Sequence, residues 1–243
     1  MKSKINLDEG FFFGMGLFET IKVVNKKPIL LESHINRINN SLKVFDIHER
    51  LEKTEVLDFI EGFEESNYAL KISISRENKI FTTRNDEYNI NSPEKVKLNL
   101  ASTLRNSTSI MTYHKTFNYM DNILEKKKSK EKGFFEPIFL NEKGYITEGA
   151  VSNIFFVRDN KIYTPKVESG LLNGVMREFF IKEFNVSEIF IKKHEIESFD
   201  SGFITNSLMG YIEIEQIGDC ILKRLQLKKD FNERLKNIGF IKL

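Results

Sequence analysis

The sequence predicts a mixed fold of the α/β (α+β) class, divided into two domains. Segments typical of strands and of helices alternate along the whole chain, which indicates a mixed architecture. The 243 residues are enough for two modest domains with cores of their own. Residues 102–112 are polar and lack periodic structure, as expected of a linker. We therefore predict a small N-terminal α/β domain, residues 1–106, and a larger C-terminal domain, residues 107–243.

The N-terminal half is predicted to contain strands and two helices. Apolar residues cluster or alternate in four strand-like segments, at residues 11–13, 17–24, 68–75 and 96–101. A turn at residues 25–28 closes the second of these strands. Residues 35–45 carry apolar positions at helical spacing, and Ser33 before them is typical of an N-cap. Residues 56–63 are predicted to form a second helix.

The C-terminal half alternates in the same way. Helices are predicted at residues 118–132 and 175–184, the second with Gly174 just ahead of it. We interpret the basic run at residues 126–130 as the solvated face of the first helix, in preference to a phosphate site. The predicted strands of this half lie at residues 137–140, 153–157, 161–164, 189–192, 202–205 and 211–217.

Composition narrows the classes of function. The hydrophobic fraction of 40% and the charged fraction of 30% are ordinary for a folded protein. A net charge of +2 gives no reason to expect nucleic-acid or membrane binding. Cys220 is the single cysteine and cannot form an internal disulfide, and no Cys/His cluster has metal-ligand spacing. Residues 1–10 lack the apolar core of a signal peptide, so a reduced, cytoplasmic location is expected.

Two separated motifs carry residues suited to cofactor chemistry. Glu148 lies in a glycine-bounded turn within Gly-Tyr-Ile-Thr-Glu-Gly-Ala-Val-Ser-Asn, residues 144–153, ahead of an apolar strand. Lys115 lies upstream in Tyr-His-Lys-Thr-Phe-Asn-Tyr, residues 113–119. Taken alone, Glu148 would be a solvated turn carboxylate, and Lys115 one of many solvated lysines. Together the two motifs resemble the glutamate and lysine segments of the class IV, or fold-type IV, pyridoxal-phosphate enzymes.

The resemblance implies specific roles for three residues. In that family the lysine holds pyridoxal 5'-phosphate as a Schiff base, and the glutamate binds the pyridine nitrogen. Lys115 and Glu148 are the matching residues, and Tyr119 follows Lys115 as in many family members. Such a lysine must lose its proton, and burial and nearby positive charge lower its pKa. A glutamate that keeps the pyridine nitrogen protonated lets the ring accept an electron pair.

One further segment resembles the family's loop-to-helix phosphate site. Residues 171–177, Leu-Leu-Asn-Gly-Val-Met-Arg, match the segment in which two backbone amides after a glycine contact the cofactor phosphate. Those amides here belong to Val175 and Met176, at a predicted helix N-terminus that suits an anion. Met176 has no hydroxyl where a threonine is common, so that side-chain hydrogen bond is not expected.

Two other segments resemble the remaining phosphate contacts. Residues 203–209, Phe-Ile-Thr-Asn-Ser-Leu-Met, match the second phosphate-binding turn, with Ser207 at the hydroxyl position and Leu208 after it. Residues 34–37, His-Ile-Asn-Arg, match a His-x-x-Arg helix motif whose arginine, here Arg37, clamps the phosphate. Without the resemblance, an arginine on such a helix is more often solvated.

The family contains branched-chain aminotransferases, D-amino acid aminotransferases and 4-amino-4-deoxychorismate lyases, and residues 14–21 help to separate them. This segment, Gly-Met-Gly-Leu-Phe-Glu-Thr-Ile, places Thr20 where the lyases have a threonine implicated in proton transfer near the lysine. The β propensity of threonine explains Thr20 equally well. The lyase reading implies release of pyruvate and 4-aminobenzoate for folate synthesis, with Lys115 as general base and Thr20 assisting.

Other readings stay open. The glycine-rich turn that lyases often carry after a strand is absent at residues 75–81. Arg76 and Arg84 are candidates to bind a substrate carboxylate, as an aminotransferase of the branched-chain or D-amino acid type requires, or they are surface arginines. A third reading is a catalytically silent relative retained as a binding or scaffold protein.

The resemblance also implies an assembly. Relatives place the cofactor between the two domains and work as homodimers, with loops of the partner near the site. We therefore expect a homodimer that acts on a small molecule. Family members usually carry a strand ahead of the segment that residues 8–11 match, so we expect the small domain to lack an edge strand.

Overall fold

The computed structural model describes residues 5–86, 88 and 93–240. Within these ranges the strands form two sheets, and the first of them is an antiparallel sheet of four strands in the order β2-β1-β3-β4. Strand β1 pairs with β3 along its whole length, from Gly16 opposite Ser75 to Val23 opposite Tyr68. The strands of this sheet are β1 (Gly16–Val24), β2 (Lys27–Pro28), β3 (Tyr68–Ser75) and β4 (Lys79–Arg84).

Among the described residues, three helices belong to this N-terminal part. Helix α1 (Glu9–Phe13) is a short turn ahead of β1. Helices α2 (Leu31–Val44) and α3 (Lys53–Gly62) connect β2 to β3 and cover one face of the sheet. Their apolar residues and those of the strands share one core, whose most buried members include Ile21, Ile38, Leu42, Val56 and Ile72. Burial of this face stabilises the unit by roughly 25 cal/mol per Å² of apolar surface removed from water.

The second sheet contains nine strands among the residues that the structure describes. Its order is β10-β9-β8-β11-β12-β5-β6-β7, with β13 paired to β12. The pairs β5–β6, β5–β12 and β9–β10 are parallel, and the others are antiparallel. The strands are β5 (Lys95–Leu100), β6 (Glu136–Leu140), β7 (Ile146–Gly149), β8 (Asn153–Arg158), β9 (Lys161–Pro165), β10 (Val186–Ile189), β11 (Ser201–Asn206), β12 (Gly210–Ile217) and β13 (Cys220–Ile221).

Three more helices flank this sheet: α4 (Met120–Glu131), α5 (Val175–Glu183) and α6 (Lys228–Asn237). An aromatic core built around Phe155, Phe180, Phe203 and Phe231 packs α5 and α6 onto one face. This core also includes Val24 and Ile29 from the N-terminal part. The two sheets are therefore joined by shared apolar contacts.

The predicted mixed α/β class is confirmed, together with most of the individual elements, but three local predictions were wrong. Residues 11–13 form a helical turn, because the Asp8 side chain accepts the Phe11 N–H at one end and Gly14 adopts a φ of 71° at the other. Helix α2 begins at Leu31, after Leu30 in the left-handed region, so Ser33 is not its cap. The strand predicted at residues 189–192 lies at Val186–Ile189.

The division between the sheets falls earlier than the predicted linker. Strand β5 (Lys95–Leu100) lies in the second sheet between β12 and β6, although it was assigned to the small domain. Parallel pairing to β6 and β12 buries Val96 and Leu98 in the second core. The apolar pattern of a strand predicts that it is a strand, but it does not show which sheet the strand joins. The predicted domain boundary near residue 106 stays a prediction.

Two kinds of feature are absent from the described ranges. No helix there is long and apolar enough to cross a membrane. No group of three or more His, Cys, Asp or Glu side chains there is arranged to hold a metal ion.

Candidate active site

A cavity of about 420 Å³ lies between the two sheets. Its walls come from β1, α2, the segment after β5, the turn between β7 and β8, the N-terminus of α5 and the turn after β11. It brings together ten of the eleven residues that the sequence singled out, which are Thr20, Arg37, Arg84, Lys115, Tyr119, Glu148, Val175, Met176, Ser207 and Leu208.

Lys115 presents its amine to this cavity from a segment that runs beside β1. The Phe18 N–H donates to the Lys115 carbonyl at 2.9 Å, which ties the segment to the strand. The amine lies 4.4 Å from the centre of the Phe18 ring and 5.1 Å from that of Tyr119. Burial and then the charge of Arg37 lower the pKa of Lys115 to about 8. About a tenth of the amine is therefore uncharged at pH 7, several hundred times more than for an ordinary lysine, and a nucleophile or base needs this form.

Glu148 lies near the end of β7 and is 8% exposed. Its Oε2 accepts the Leu172 N–H at 3.1 Å, and its Oε1 lies 3.2 Å from Nη2 of Arg105. Burial raises the pKa of Glu148, and the Arg105 charge and the Leu172 amide act in the opposite direction. The carboxylate is thus held in one orientation inside the cavity wall.

A second buried carboxylate, that of Glu136, holds the turn after Glu148 in place. Glu136 accepts the Val151 N–H at 2.9 Å and a short hydrogen bond from the Ser152 hydroxyl. Tyr119 donates its hydroxyl proton to the Ala150 carbonyl at 3.1 Å, and burial raises the pKa of this phenol. Tyr119 therefore supports the turn as well as lining the cavity.

Arg37 is held by a buried carboxylate that the sequence reading did not single out. Glu19 accepts Arg37 Nε at 2.7 Å and Nη2 at 2.5 Å, and its Oε2 lies 2.7 Å from Nδ1 of His34. Burial alone would raise the pKa of Glu19, but the charges of Arg37 and His34 outweigh it and lower the pKa to about 2. Arg37 Nη1 also donates to the Asn173 carbonyl at 3.3 Å, beside α5. The Arg37 guanidinium is therefore a fixed cation at the end of the cavity next to α5.

The N-terminus of α5 faces the same end. Gly174 is its N-cap and makes no side-chain capping bond, so the first amides, Val175 and Met176, have no partner within the helix. A Cβ at Gly174 would lie 2.0 Å from Oδ1 of Asn153, so a side chain there would displace the Asn153 amide. Such a helix N-terminus attracts anions.

The turn after β11 also lines the cavity. Ser207 and Leu208 line it, and Asn206 Oδ1 accepts the amides of Leu208 and Met209 at 2.9 Å each. The Leu208 amide is thus already engaged, and Ser207 is the polar side chain that the turn presents. The buried hydroxyl of Thr205, which also lines the cavity, has no hydrogen-bond partner among the described residues.

Comparison with known proteins identifies the family. The sequence model described as amino-transferase class IV matches residues 16–217, most of the chain. The chain belongs to the class IV amino-transferases. This family consists of pyridoxal-phosphate-dependent enzymes, both aminotransferases and lyases, and the fold-type IV architecture expected from the sequence is confirmed.

Individual relatives of this class IV chain include both kinds of enzyme. An aminodeoxychorismate lyase of Bacillus subtilis strain 168 is 29% identical over 234 residues, spanning 86% of this chain and 80% of the relative. A D-alanine aminotransferase of Bacillus licheniformis is 26% identical over 234 residues, spanning 86% of this chain and 81% of the relative. A structure from Legionella pneumophila, provisionally assigned as a 4-amino-4-deoxychorismate lyase, has a TM-score of 0.89 at 26% identity and covers 98% of this chain and 96% of that chain.

The cavity of this class IV chain fits the family's cofactor. An amine with a lowered pKa, a buried carboxylate and an anion site lie in one enclosure of suitable size. The unpartnered Thr205 hydroxyl lies beside Ser207, where a phosphate oxygen could accept from it. The chemistry of this donor set therefore matches an aromatic aldehyde with a ring nitrogen and a phosphate.

The residues expected to contact substrate separate into two groups. Thr20 and Arg84 line the cavity. Arg76 does not: its guanidinium pairs with Glu9 at 3.0 Å and is two-thirds exposed. Strand β3 ends at Ser75, and Arg76 follows it on the surface. The predicted substrate contact of Arg76 has no support within a single chain.

Several charged residues of the site were missed from the sequence, among them Lys126, which lines the cavity although its basic run was interpreted as a solvated face. Glu19 holds Arg37, Arg105 lies against Glu148, and Lys71 lines the cavity with its ammonium 4.6 Å from the centre of the Phe18 ring. The sequence could have indicated Glu19, because a carboxylate in an apolar strand is rarely buried without a charged partner. Arg105 lay in the segment interpreted as a linker and carried none.

Proposed function

We propose that this chain is a pyridoxal-phosphate-dependent 4-amino-4-deoxychorismate lyase that releases pyruvate and 4-aminobenzoate for folate synthesis. The observation that carries the proposal is the presence of Thr20 in the cavity that Lys115, Glu148 and Arg37 also line. The relationship to the Bacillus subtilis lyase, at 29% identity, supports it.

Different residues of the cavity would bind different parts of the cofactor. Arg37, the amides of Val175 and Met176, and the hydroxyl of Ser207 would bind its phosphate. Glu148 would accept a hydrogen bond from the pyridine nitrogen, and Lys115 would bind the aldehyde carbon. When bound, pyridoxal phosphate supplies an electron sink next to the substrate amine.

Lys115 performs the proton transfers in this proposal. Once the substrate amine has replaced it at the aldehyde carbon, the freed Lys115 amine would take the proton from the ring carbon that bears the substrate amine. It then delivers a proton to the methylene of the enolpyruvyl group, with the Thr20 hydroxyl assisting. The ether bond to the ring breaks, pyruvate leaves and the ring becomes aromatic, so one proton moves and none is gained or lost.

Two cations support a substrate with two carboxylates. Lys71 on β3 and Arg84 at the end of β4 both line the cavity. Burial and then the charge of Arg84 lower the pKa of Lys71, which indicates that the two cations are close together. 4-Amino-4-deoxychorismate carries one carboxylate on the ring and one on the enolpyruvyl group, and charge-assisted pairing would orient it.

The second candidate is an aminotransferase acting on a small amino acid and a 2-oxo acid. Arg84 in the cavity favours it, because an aminotransferase needs a cation for the substrate carboxylate. The Bacillus licheniformis D-alanine aminotransferase, at 26% identity, supports this alternative. Lys115 would then move a proton between the substrate α-carbon and the cofactor.

The deciding experiment measures 4-aminobenzoate formed from enzymatically generated aminodeoxychorismate. Lys115→Ala should lower the rate by about 10³-fold or more, and Lys127→Ala, an exposed lysine of α4, should leave it unchanged. Cofactor-loaded protein that forms no 4-aminobenzoate but transfers amino groups would identify the aminotransferase. A protein that binds no cofactor would indicate a silent relative.

We also propose that the protein works as a homodimer. Phe11, Phe12, Phe13 and Met15 are each about half exposed or more and form an apolar N-terminal patch. The Asn118 side-chain amide, at the cavity wall, donates to the Gly14 carbonyl at 3.0 Å, so the patch adjoins the cavity. A patch of this kind is typical of an interaction surface, and a second copy covering it would reach the cavity rim.

A further inference from the structure

A buried lysine outside the cavity connects two of its walls. Lys22 lies on β1 and is 4% exposed. Its ammonium forms a close ion pair with Asp86, whose side chain is 3% exposed. The same ammonium donates to the Leu208 carbonyl at 3.0 Å and lies 4.9 Å from the centre of the Phe240 ring. Because its ammonium is buried and engaged by these contacts, Lys22 is not available to bind a ligand in the cavity.

The partners of Lys22 belong to different parts of the cavity. Asp86 follows β4 by two residues, between Arg84 and Tyr88, which both line the cavity. Asp86 Oδ1 also accepts the Tyr88 N–H at 3.1 Å, so its carboxylate orders the backbone of this crossing segment. The described residues of this crossing segment, 84–86 and 88, lead from the first sheet towards the second.

Leu208 belongs to the turn at residues 206–209, which presents Ser207 to the cavity. Asn206 Oδ1 holds the amide side of this turn through Leu208 and Met209. Lys22 holds the carbonyl side through Leu208. The turn is thus fixed on both sides, and one of the two anchors comes from the other sheet.

A buried ion pair is a poor source of stability, because removing two charges from water offsets their attraction. Its retention in an apolar strand therefore calls for another role, and the geometry points to placement of the turn. We propose that Lys22, together with Asp86, is a positioning residue that sets the Ser207 turn at the distance the cofactor phosphate requires. This proposal rests on the proposed cofactor but not on the choice between lyase and aminotransferase.

The test compares two ligands that differ only in the phosphate. Dissociation constants for pyridoxal 5'-phosphate and for pyridoxal are measured by absorbance titration, and their ratio reports the phosphate contribution. In the double variant Lys22→Met/Asp86→Asn, which leaves no lone buried charge, we expect this ratio to fall by about tenfold or more, the scale of one hydrogen bond to a charged group. The affinity for pyridoxal should stay within about twofold. A local shift of the Ser207 turn leaves the residues that contact the pyridine ring in place.

Lys79→Met is the matched control. Lys79 lies in the same sheet and pairs with Glu49 and Glu55, and it does not line the cavity. It should change the melting temperature and leave the ratio unchanged. Asp86→Glu, which keeps both charges of the pair and moves the carboxylate by one methylene, is the milder variant if the double variant does not fold, with a smaller fall of the ratio expected. An unchanged ratio in folded Lys22 and Asp86 variants would overturn the positioning role alone, whereas wild-type protein that binds neither ligand would overturn the proposed cofactor as well.

Discussion

The Arg105 guanidinium lies 3.2 Å from the Glu148 carboxylate, inside the wall of the cavity. It also stacks 3.9 Å from the centre of the Phe139 ring and donates to the Asn122 side chain at 3.2 Å. Arg105 is therefore held independently of Glu148. This arrangement favours the ionised form of a carboxylate that burial alone would neutralise. An ionised Glu148 is the form that could keep a pyridine nitrogen protonated.

Replacing Arg105 should move the pH dependence of the enzyme. Arg105→Met removes the positive charge beside Glu148 but keeps an apolar stem over Phe139. The pKa of Glu148 then rises further, so its ionised form is lost at a higher pH. We expect the acidic limb of the kcat/KM profile to shift towards neutral pH. Identical acidic limbs in Arg105→Met and wild type would mean that Glu148 is not the titrating group.

Lys115 should react with aldehydes at a pH well below that of an ordinary lysine. Its pKa of about 8 compares with a usual value of 10.5, because burial disfavours the charged amine. The rate of borohydride-trapped labelling by pyridoxal should therefore rise with a midpoint near pH 8. Mass spectrometry of the reduced adduct locates the labelled residue. A midpoint near 10, or labelling spread over surface lysines, would argue against the assignment.

Glu19 should stabilise the fold in a pH-dependent way. Glu19→Gln leaves the partly buried Arg37 without its counter-ion, and we expect a loss of about 2 kcal/mol in the free energy of unfolding, the scale of a hydrogen bond to a charged group. The pKa of Glu19 falls from 4.5 to about 2 on folding. A depressed carboxylate pKa contributes stability that is complete above pH 4.5 and disappears as the pH falls towards 2. Urea unfolding should thus show a difference between variant and wild type that narrows over this range.

Gly174 should be required for the anion site. Its φ of −67° suits any residue, so Gly174→Ala creates no backbone strain. The added Cβ would instead meet Oδ1 of Asn153 at 2.0 Å and displace the loop at the N-terminus of α5. We expect affinity for pyridoxal 5'-phosphate to fall by about tenfold or more. Gly62→Ala, at the end of α3 where a Cβ would meet nothing within 4 Å, is the control that should bind normally.

The apolar N-terminal patch should control assembly. Changing Phe11 and Phe13 to Ser removes much of the exposed aromatic surface, and light scattering after gel filtration should then report a monomer. Activity should fall with the dimer if the partner reaches the cavity rim. Val44→Ser, at a half-exposed apolar residue on α2, should leave the mass unchanged. A wild-type protein that is monomeric at micromolar concentration would contradict the dimer.

Sequence alone was sufficient for the mixed fold, most strands and the family, because these depend on local patterns. Alternating apolar residues predict β1 and β3, and the motifs around Lys115 and Glu148 lie in continuous segments. These motifs, together with the other segments singled out along the chain, led to ten residues that the cavity brings together. Local reasoning succeeds where a residue's neighbours in the chain are also its neighbours in the fold.

Only the tertiary structure decided how the charges pair. Glu19 with Arg37, Arg105 with Glu148, and Lys22 with Asp86 join segments that are distant in the chain. Tertiary structure also placed Arg76 on the surface beside Glu9 and β5 in the second sheet. A buried charge is tolerated only with a partner, and which partner it meets depends on sheet order and helix packing. Those long-range choices set the pKa values and the geometry of the site, and no short stretch of sequence contains them.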